Sequence, residues 1–236
     1  MNKEFQLNKS YYEIPSSYIK EDKISFCCIS SKSEIDEEES PVILFSPEFG
    51  LSYKSYFDYF SRLIEKDERY RIYLFDHYAN GLSGGARGLN IDYKNYLNDL
   101  ERVLRDIRKK EPGRKIFVYG HGFGGTILLL AESDGILKDI LGIIVEAPFF
   151  SGASKSSLVS SFPYLDSLKI FKRYVGKKIY EGDNYFTSLK DKMNFLSSNL
   201  NRSKVSLEML ETINKMSKDV IERAYFTEKP VLHLFS

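Results

Sequence analysis

Short apolar runs alternate with stretches of helical spacing along most of the chain. Residues 24–29 (ISFCCI) have the composition of a strand. Residues 41–46 (PVILFS) place four apolar residues in a row, too few for a helix and apolar enough for a strand covered on both faces. Residues 53–66 follow with a period near 3.6, which puts Tyr56, Tyr59, Phe60 and Leu63 on one helix face. Residues 71–76 (RIYLFD) are the next strand, and residues 80–88 (NGLSGGARG) a glycine-rich loop. A long amphipathic helix over 92–110 is stopped by Pro112 and Gly113. A strand over 115–119, a glycine turn, a helix over 126–132 and a strand over 141–145 complete this part. Strands separated by helices require crossovers, so the pattern predicts an α/β fold with a mainly parallel sheet and helices on both faces.

The texture changes after Pro148. Residues 151–226 are rich in Ser, Lys and Tyr and read as helices and loops without strand-like runs, whereas residues 230–235 (PVLHLF) return to a strand pattern. The economical division is a core over 1–150, a helical cap inserted over 151–226, and a return strand of the core within 227–236. The 236 residues suffice for one sizeable core. Lys+Arg 34 against Asp+Glu 33 leaves a net charge of +1, so no global field draws in nucleic acid. No apolar run approaches the ~18 residues of a membrane span, and the first residues lack the apolar stretch of a secretion signal. A cytoplasmic protein is expected. The two cysteines, Cys27 and Cys28, are adjacent in a strand and face opposite sides of it, as small buried hydrophobes rather than a disulfide framework.

The candidate chemistry lies in Gly120-His121-Gly122-Phe123-Gly124-Gly125, between a strand and a helix, where ligands of α/β sheets bind. Two chemistries use such a turn. Gly120, Gly122 and Gly125 satisfy the G-x-G-x-x-G of a dinucleotide site, with Glu146 near the place of a ribose-binding acid. That fingerprint, however, normally opens its unit, and several strands precede it here. Gly120 and Gly124 instead flank the tip of a nucleophile elbow, G-x-S-x-G. Together with Asp76-His77-Tyr78-Ala79-Asn80-Gly81-Leu82-Ser83 and the strand LGIIVEAP at 141–148, this order resembles the α/β-hydrolase superfamily, in particular its monoacylglycerol lipase, lysophospholipase and serine aminopeptidase-like group. The resemblance covers about residues 20–236 and implies an α/β-hydrolase fold with a helical cap.

Measured against that group, the chain departs at each catalytic position. The nucleophile position is Gly122, which has no atom with which to form an acyl-enzyme. Loss of that serine alone costs a triad hydrolase ~10⁶-fold in turnover. Ser46-Pro47 stand where the group has His-Gly, and by position the oxyanion donors are the N–H groups of Glu48 and Phe123. Proline constrains that loop, and an anionic Glu48 opposes a developing oxyanion. The acid and histidine that follow later strands in the group have no counterpart before Ser236, so the last strand and helix of the fold are expected to be missing. His77, His121 and His233 are the three histidines, and none sits where the resemblance puts the base. Ser83 is expected to cap its loop. Lys169, Lys172, Arg173, Lys177 and Lys178 form a basic cluster in the cap, expected as a solvated face with contact to anionic lipid as the alternative. No metal spacing or P-loop is present, and no cofactor is expected.

The expectation is a catalytically inactive, lipase-like protein that binds an acyl or lipid ligand or a protein partner. The alternatives are an active serine hydrolase on lipid esters and, more distantly, a dinucleotide-binding module. A return strand at 231–235 ending the sheet would be a hydrophobic edge. It could be covered locally, paired in a dimer, or continued by a longer chain.

Overall fold

The alternation of apolar runs and amphipathic segments closes into one seven-stranded sheet in the computed structural model, which describes residues 6–32, 40–87, 91–148, 176–178, 198–201, 204–223 and 229–234. Strands β1 (Leu7–Pro15), β2 (Lys23–Ser31) and β3 (Val42–Ser46) come first. A short 3₁₀ turn over Tyr53–Tyr56 leads into α1 (Phe57–Lys66), and β4 (Arg71–Phe75) follows. Next come α2 (Tyr93–Lys110), β5 (Ile116–His121), α3 (Phe123–Ser133) and β6 (Gly142–Glu146). The last elements are β7 (Gly176–Lys178), β8 (Lys204–Ser206), α4 (Leu207–Arg223) and β9 (Val231–Leu234).

The spatial order is β1-β2-β4-β3-β5-β6-β9. From β4 to β9 every pairing is parallel, while β1 and β2 form an antiparallel hairpin laid against β4. The chain runs from β3 outward to β4 and then back past β3 to β5. That reversal falls at the C-terminal ends of β3 and β5, the place where open α/β sheets bind ligands. The β3–β5 register sets Ser46 opposite Gly120, so the loop after β3 and the glycine turn after β5 start side by side.

Both faces of the sheet are covered. One core joins Phe26, Cys28, Leu44, Tyr73 and Val118 to α2, α3 and α4, and the other packs Cys27, Ile29, Phe45, Leu74 and Tyr119 on Phe60 and Ile64 of α1. Cys27 and Cys28 therefore face opposite sides of the sheet, both as free buried thiols. Asp92 caps α2, its carboxylate accepting the Lys94 N–H, and Arg108, Lys109 and Lys110 lie in the last turn, where the helix dipole favours cations.

Four features differ from the reading of the sequence. Strand β1 was not anticipated: its half-exposed, largely polar residues belong to a sheet edge. The segment 53–66 is not one helix, because the N–H of Tyr53 is taken by the Asp76 carboxylate and the turn starts as 3₁₀. Its buried residues in α1 are Phe60 and Ile64, whereas Tyr59 is 54% exposed. The stretch expected to lack strands contains the short antiparallel pair β7–β8, with Lys177 opposite Val205. Most of the proposed cap, including Lys169, Lys172 and Arg173, lies outside the described residues; Lys177 and Lys178 are on β7. Strand β9 occupies the sheet edge with Leu232 and Leu234 exposed, and Phe235 is outside the described residues.

Candidate active site

The turn between β5 and α3 is a sharp strand-to-helix reversal with Gly122 at its tip. Gly122 has φ 52° and ψ −114°, a left-handed φ that costs a residue with a Cβ ~1–3 kcal/mol and glycine very little. The turn is pinned on both sides: the Gly122 N–H donates to the Glu146 carbonyl (2.8 Å), and the Gly122 carbonyl accepts from the Thr126 N–H (3.1 Å). Gly124 lies against the backbone of the neighbouring loop, and a Cβ there would collide with the Ser46 carbonyl and come 2.7 Å from that of Pro47. Small residues therefore let the loop after β3 lie directly on the elbow.

What that loop places on the elbow is the side chain of Glu48. Its Oε1 accepts the N–H of Phe49 at 2.5 Å and the N–H of Phe123 at 3.3 Å. The N–H of Phe123, the residue after the elbow tip, and an N–H from the loop after β3 are the two donors that form an oxyanion hole on this fold. From the loop after β3, the N–H that meets this carboxyl is that of Phe49, which the sequence reading did not single out. The N–H of Glu48 points elsewhere, to Tyr56 Oη at 3.3 Å. The carboxyl also fills the space above Gly122: a Cβ built there would overlap Oε2 and lie 2.5 Å from Cδ. Glu48 is buried, and that burial pushes its pKa up to about 8 despite the two N–H donors. Pro47, buried as well, connects this residue to the end of β3.

The surrounding polar side chains hold loops in place. Asp76, at the end of β4, accepts the N–H groups of Tyr53 (2.6 Å) and Leu82 (2.6 Å) and the Ser52 hydroxyl (3.1 Å). Burial pushes its pKa up to about 7, the hydrogen bonds opposing. Ser83 donates to the Asp76 carbonyl (2.7 Å) and accepts the Ser25 N–H (2.9 Å), the role of a loop cap. His77 is buried beneath the elbow, its ring edge-on to Phe75, Tyr96 and Phe123, with Nε2 3.1 Å from Ser46 Oγ. Burial drives its pKa down to about 3, so it is neutral near pH 7. His121 Nδ1 lies 2.8 Å from Tyr56 Oη, and burial lowers its pKa against the opposing pull of Glu146. Glu146, its register partner on β6, accepts from the Tyr119 hydroxyl at 2.5 Å. His233 is on β9, paired in register with Val145.

A sharp strand–turn–helix tip, two convergent N–H donors beside it and a parallel sheet that reverses order at that point are the anatomy of a hydrolase elbow. A family model described as serine aminopeptidase, S33, matches residues 37–236. The chain belongs to this family of α/β-hydrolases. Among individual proteins, it is 32% identical over 63 residues to a monoglyceride lipase homolog of monkeypox virus, covering 27% of this chain and 23% of that protein. It is 30% identical over 63 residues to monoglyceride lipase of Rattus norvegicus, covering 27% of this chain and 21% of the relative. Each of these matches thus spans less than a quarter of the relative's length. The fold aligns with a soluble variant of monoglyceride lipase from Saccharomyces cerevisiae in complex with a substrate analog, with a TM-score of 0.74 and 18% identity, over 100% of this chain and 80% of that one. It also aligns with the monoacylglycerol lipase of Paleococcus ferrophilus, with a TM-score of 0.63 and 17% identity, over 98% of this chain and 77% of that one.

Within this hydrolase frame the glycine turn is an elbow. The first-turn donor a pyrophosphate would need, the Phe123 N–H, is turned to Glu48 instead. Among the described residues, no group of three or more His, Cys, Asp or Glu side chains is arranged to hold a metal ion. No helix of the described residues is long and apolar enough to cross a membrane.

Proposed function

We propose that this chain is a non-hydrolytic, monoacylglycerol lipase-like member of its family, which binds an acyl or lipid ligand at the C-terminal ends of β3 and β5. The observation that carries this reading is the elbow tip: Gly122 has no nucleophilic atom, and the Glu48 carboxyl lies where the serine side chain would project. The Glu48 carboxyl also occupies the two N–H donors that a developing oxyanion would need during attack on an ester carbonyl. The histidines support the same reading. His77 is locked neutral in the core and His121 is turned to Tyr56, so neither is placed as a base for a residue at the tip.

A fluorophosphonate probe labels activated serines and tests the first half of the proposal. Absence of labelling is the expected result, and labelling traced to one serine restores the alternative, an active serine hydrolase on lipid esters. Thermal denaturation with monoacylglycerols or fatty acids tests the second half, since a ligand bound only by the folded chain raises the melting temperature. A second reading, a protein partner or second copy added to the sheet at β9, is favoured by the exposure of Leu232 (55%) on that edge strand. Sedimentation velocity across a concentration series separates it from the ligand reading.

A further inference from the structure

The geometry points to Glu48 as an intramolecular carboxyl ligand that occupies the acyl-carbonyl site of the elbow, so that Gly122 and Glu48 form one coupled arrangement. Three observations on separate elements converge on it. One carboxyl oxygen, Oε1, sits on both the Phe49 and Phe123 N–H groups, one from the loop after β3 and one from the first turn of α3. The other oxygen stands in the volume that any side chain at position 122 would need, so Glu48 in this rotamer and a serine at the tip are mutually exclusive. The loop is fixed in that pose by its own contacts: Tyr56 Oη takes the Glu48 N–H, Asn80 Oδ1 takes the Gly50 N–H at 3.0 Å, and the Phe49 ring packs edge-on against Phe123.

A carboxyl group held by two backbone donors is the same chemistry that a fatty-acid headgroup presents. Glu48 therefore excludes carboxylates, and acyl carbonyls generally, from the two N–H groups, and any lipid bound there is held by its chain or its alcohol portion. This inference shares Gly122 with the proposed lack of hydrolysis but fails separately. Ester turnover by the wild-type chain would overturn that proposal, whereas the experiment below reads only who occupies the donors.

The test removes the internal ligand and offers an external one. Glu48→Ala, titrated with sodium acetate against sodium chloride at equal ionic strength, should show a saturable rise of a few degrees in melting temperature. Wild type and Glu48→Gln should show no acetate response beyond that of chloride. A folded Glu48→Ala protein indifferent to acetate, or a wild type that responds equally, overturns the inference. Should Glu48→Ala not fold, amide NMR of wild type and Glu48→Gln decides. In wild type the Phe49 and Phe123 amide protons move together as Glu48 titrates, and Glu48→Gln abolishes that shared titration. Signals from the groups facing this corner, Tyr56, His121, Asp76 and Glu146, persist in both proteins. Retention of the shared titration in Glu48→Gln refutes the assignment.

Discussion

Restoring the family's serine by Gly122→Ser should lower stability and leave the protein without turnover. The backbone supplies the first part of the cost: at φ 52° a residue with a Cβ is strained by ~1–3 kcal/mol. The second part is the eviction of Glu48, because the new Cβ overlaps Oε2 and comes within 2.5 Å of Cδ. Eviction deprives the Phe123 N–H of its Glu48 acceptor, and a buried group left without a partner costs about 1–3 kcal/mol. The sum is a destabilisation of about 2–6 kcal/mol, read as a fall in urea midpoint at unchanged m-value. A double-mutant cycle separates the parts. Glu48→Ala removes the collision but not the backbone strain, so the double variant should be more stable than the sum of the single effects by about 1–3 kcal/mol. Additive effects, or a Gly122→Ser protein as stable as wild type, would refute the reasoning.

Burial of acids sets the pH response. The folded pKa of Glu48, about 8 against an ordinary 4.5, means that between those values the unfolded chain has released a proton the folded chain retains. Its contribution to stability is full below 4.5 and is lost as pH rises through 8; Asp76, raised to about 7, acts in the same direction. His77, lowered to about 3, acts oppositely but only below its ordinary 6.5. Of these three groups Glu48 therefore dominates between pH 7 and 8, with Tyr56, His121 and Glu146 as its ionisable surroundings, and Glu48→Gln should flatten a slope of up to ~1.4 kcal/mol per pH unit in denaturation midpoints. Asp76→Ala leaves the Tyr53 and Leu82 N–H groups without their acceptor and should cost about 2–6 kcal/mol, measured by the same denaturation. Cys27 and Cys28 are buried, their thiols pushed up and that of Cys28 to about 11, so Ellman's reagent should label neither in the native protein and both in urea.

The parallel part of the sheet was legible because its strands are covered on both faces and therefore run apolar without interruption, as residues 42–46 and 71–75 do. The elbow was legible because its glycines answer steric demands of the backbone at fixed spacing. Strand β1 was not, since an edge strand with Tyr11 at 59% exposure carries no run of that kind. The β7–β8 pair, Gly-Lys-Lys against Lys-Val-Ser, is too short and too polar to leave a period. The place of Glu48 was half legible. Its charge near the oxyanion loop followed from position, but its reach to Phe123 and into the space over Gly122 is a contact between residues distant in sequence. That the Phe49 N–H rather than that of Glu48 turns to this corner likewise depends on how Tyr56 captures the Glu48 N–H.

The central claim, that this elbow does not cleave esters, is tested most directly by incubating the purified chain with a monoacylglycerol and measuring fatty-acid release. The account predicts release no faster than in buffer, for wild type and for Gly122→Ser alike. Release by wild type that a single substitution in the chain abolishes would contradict it.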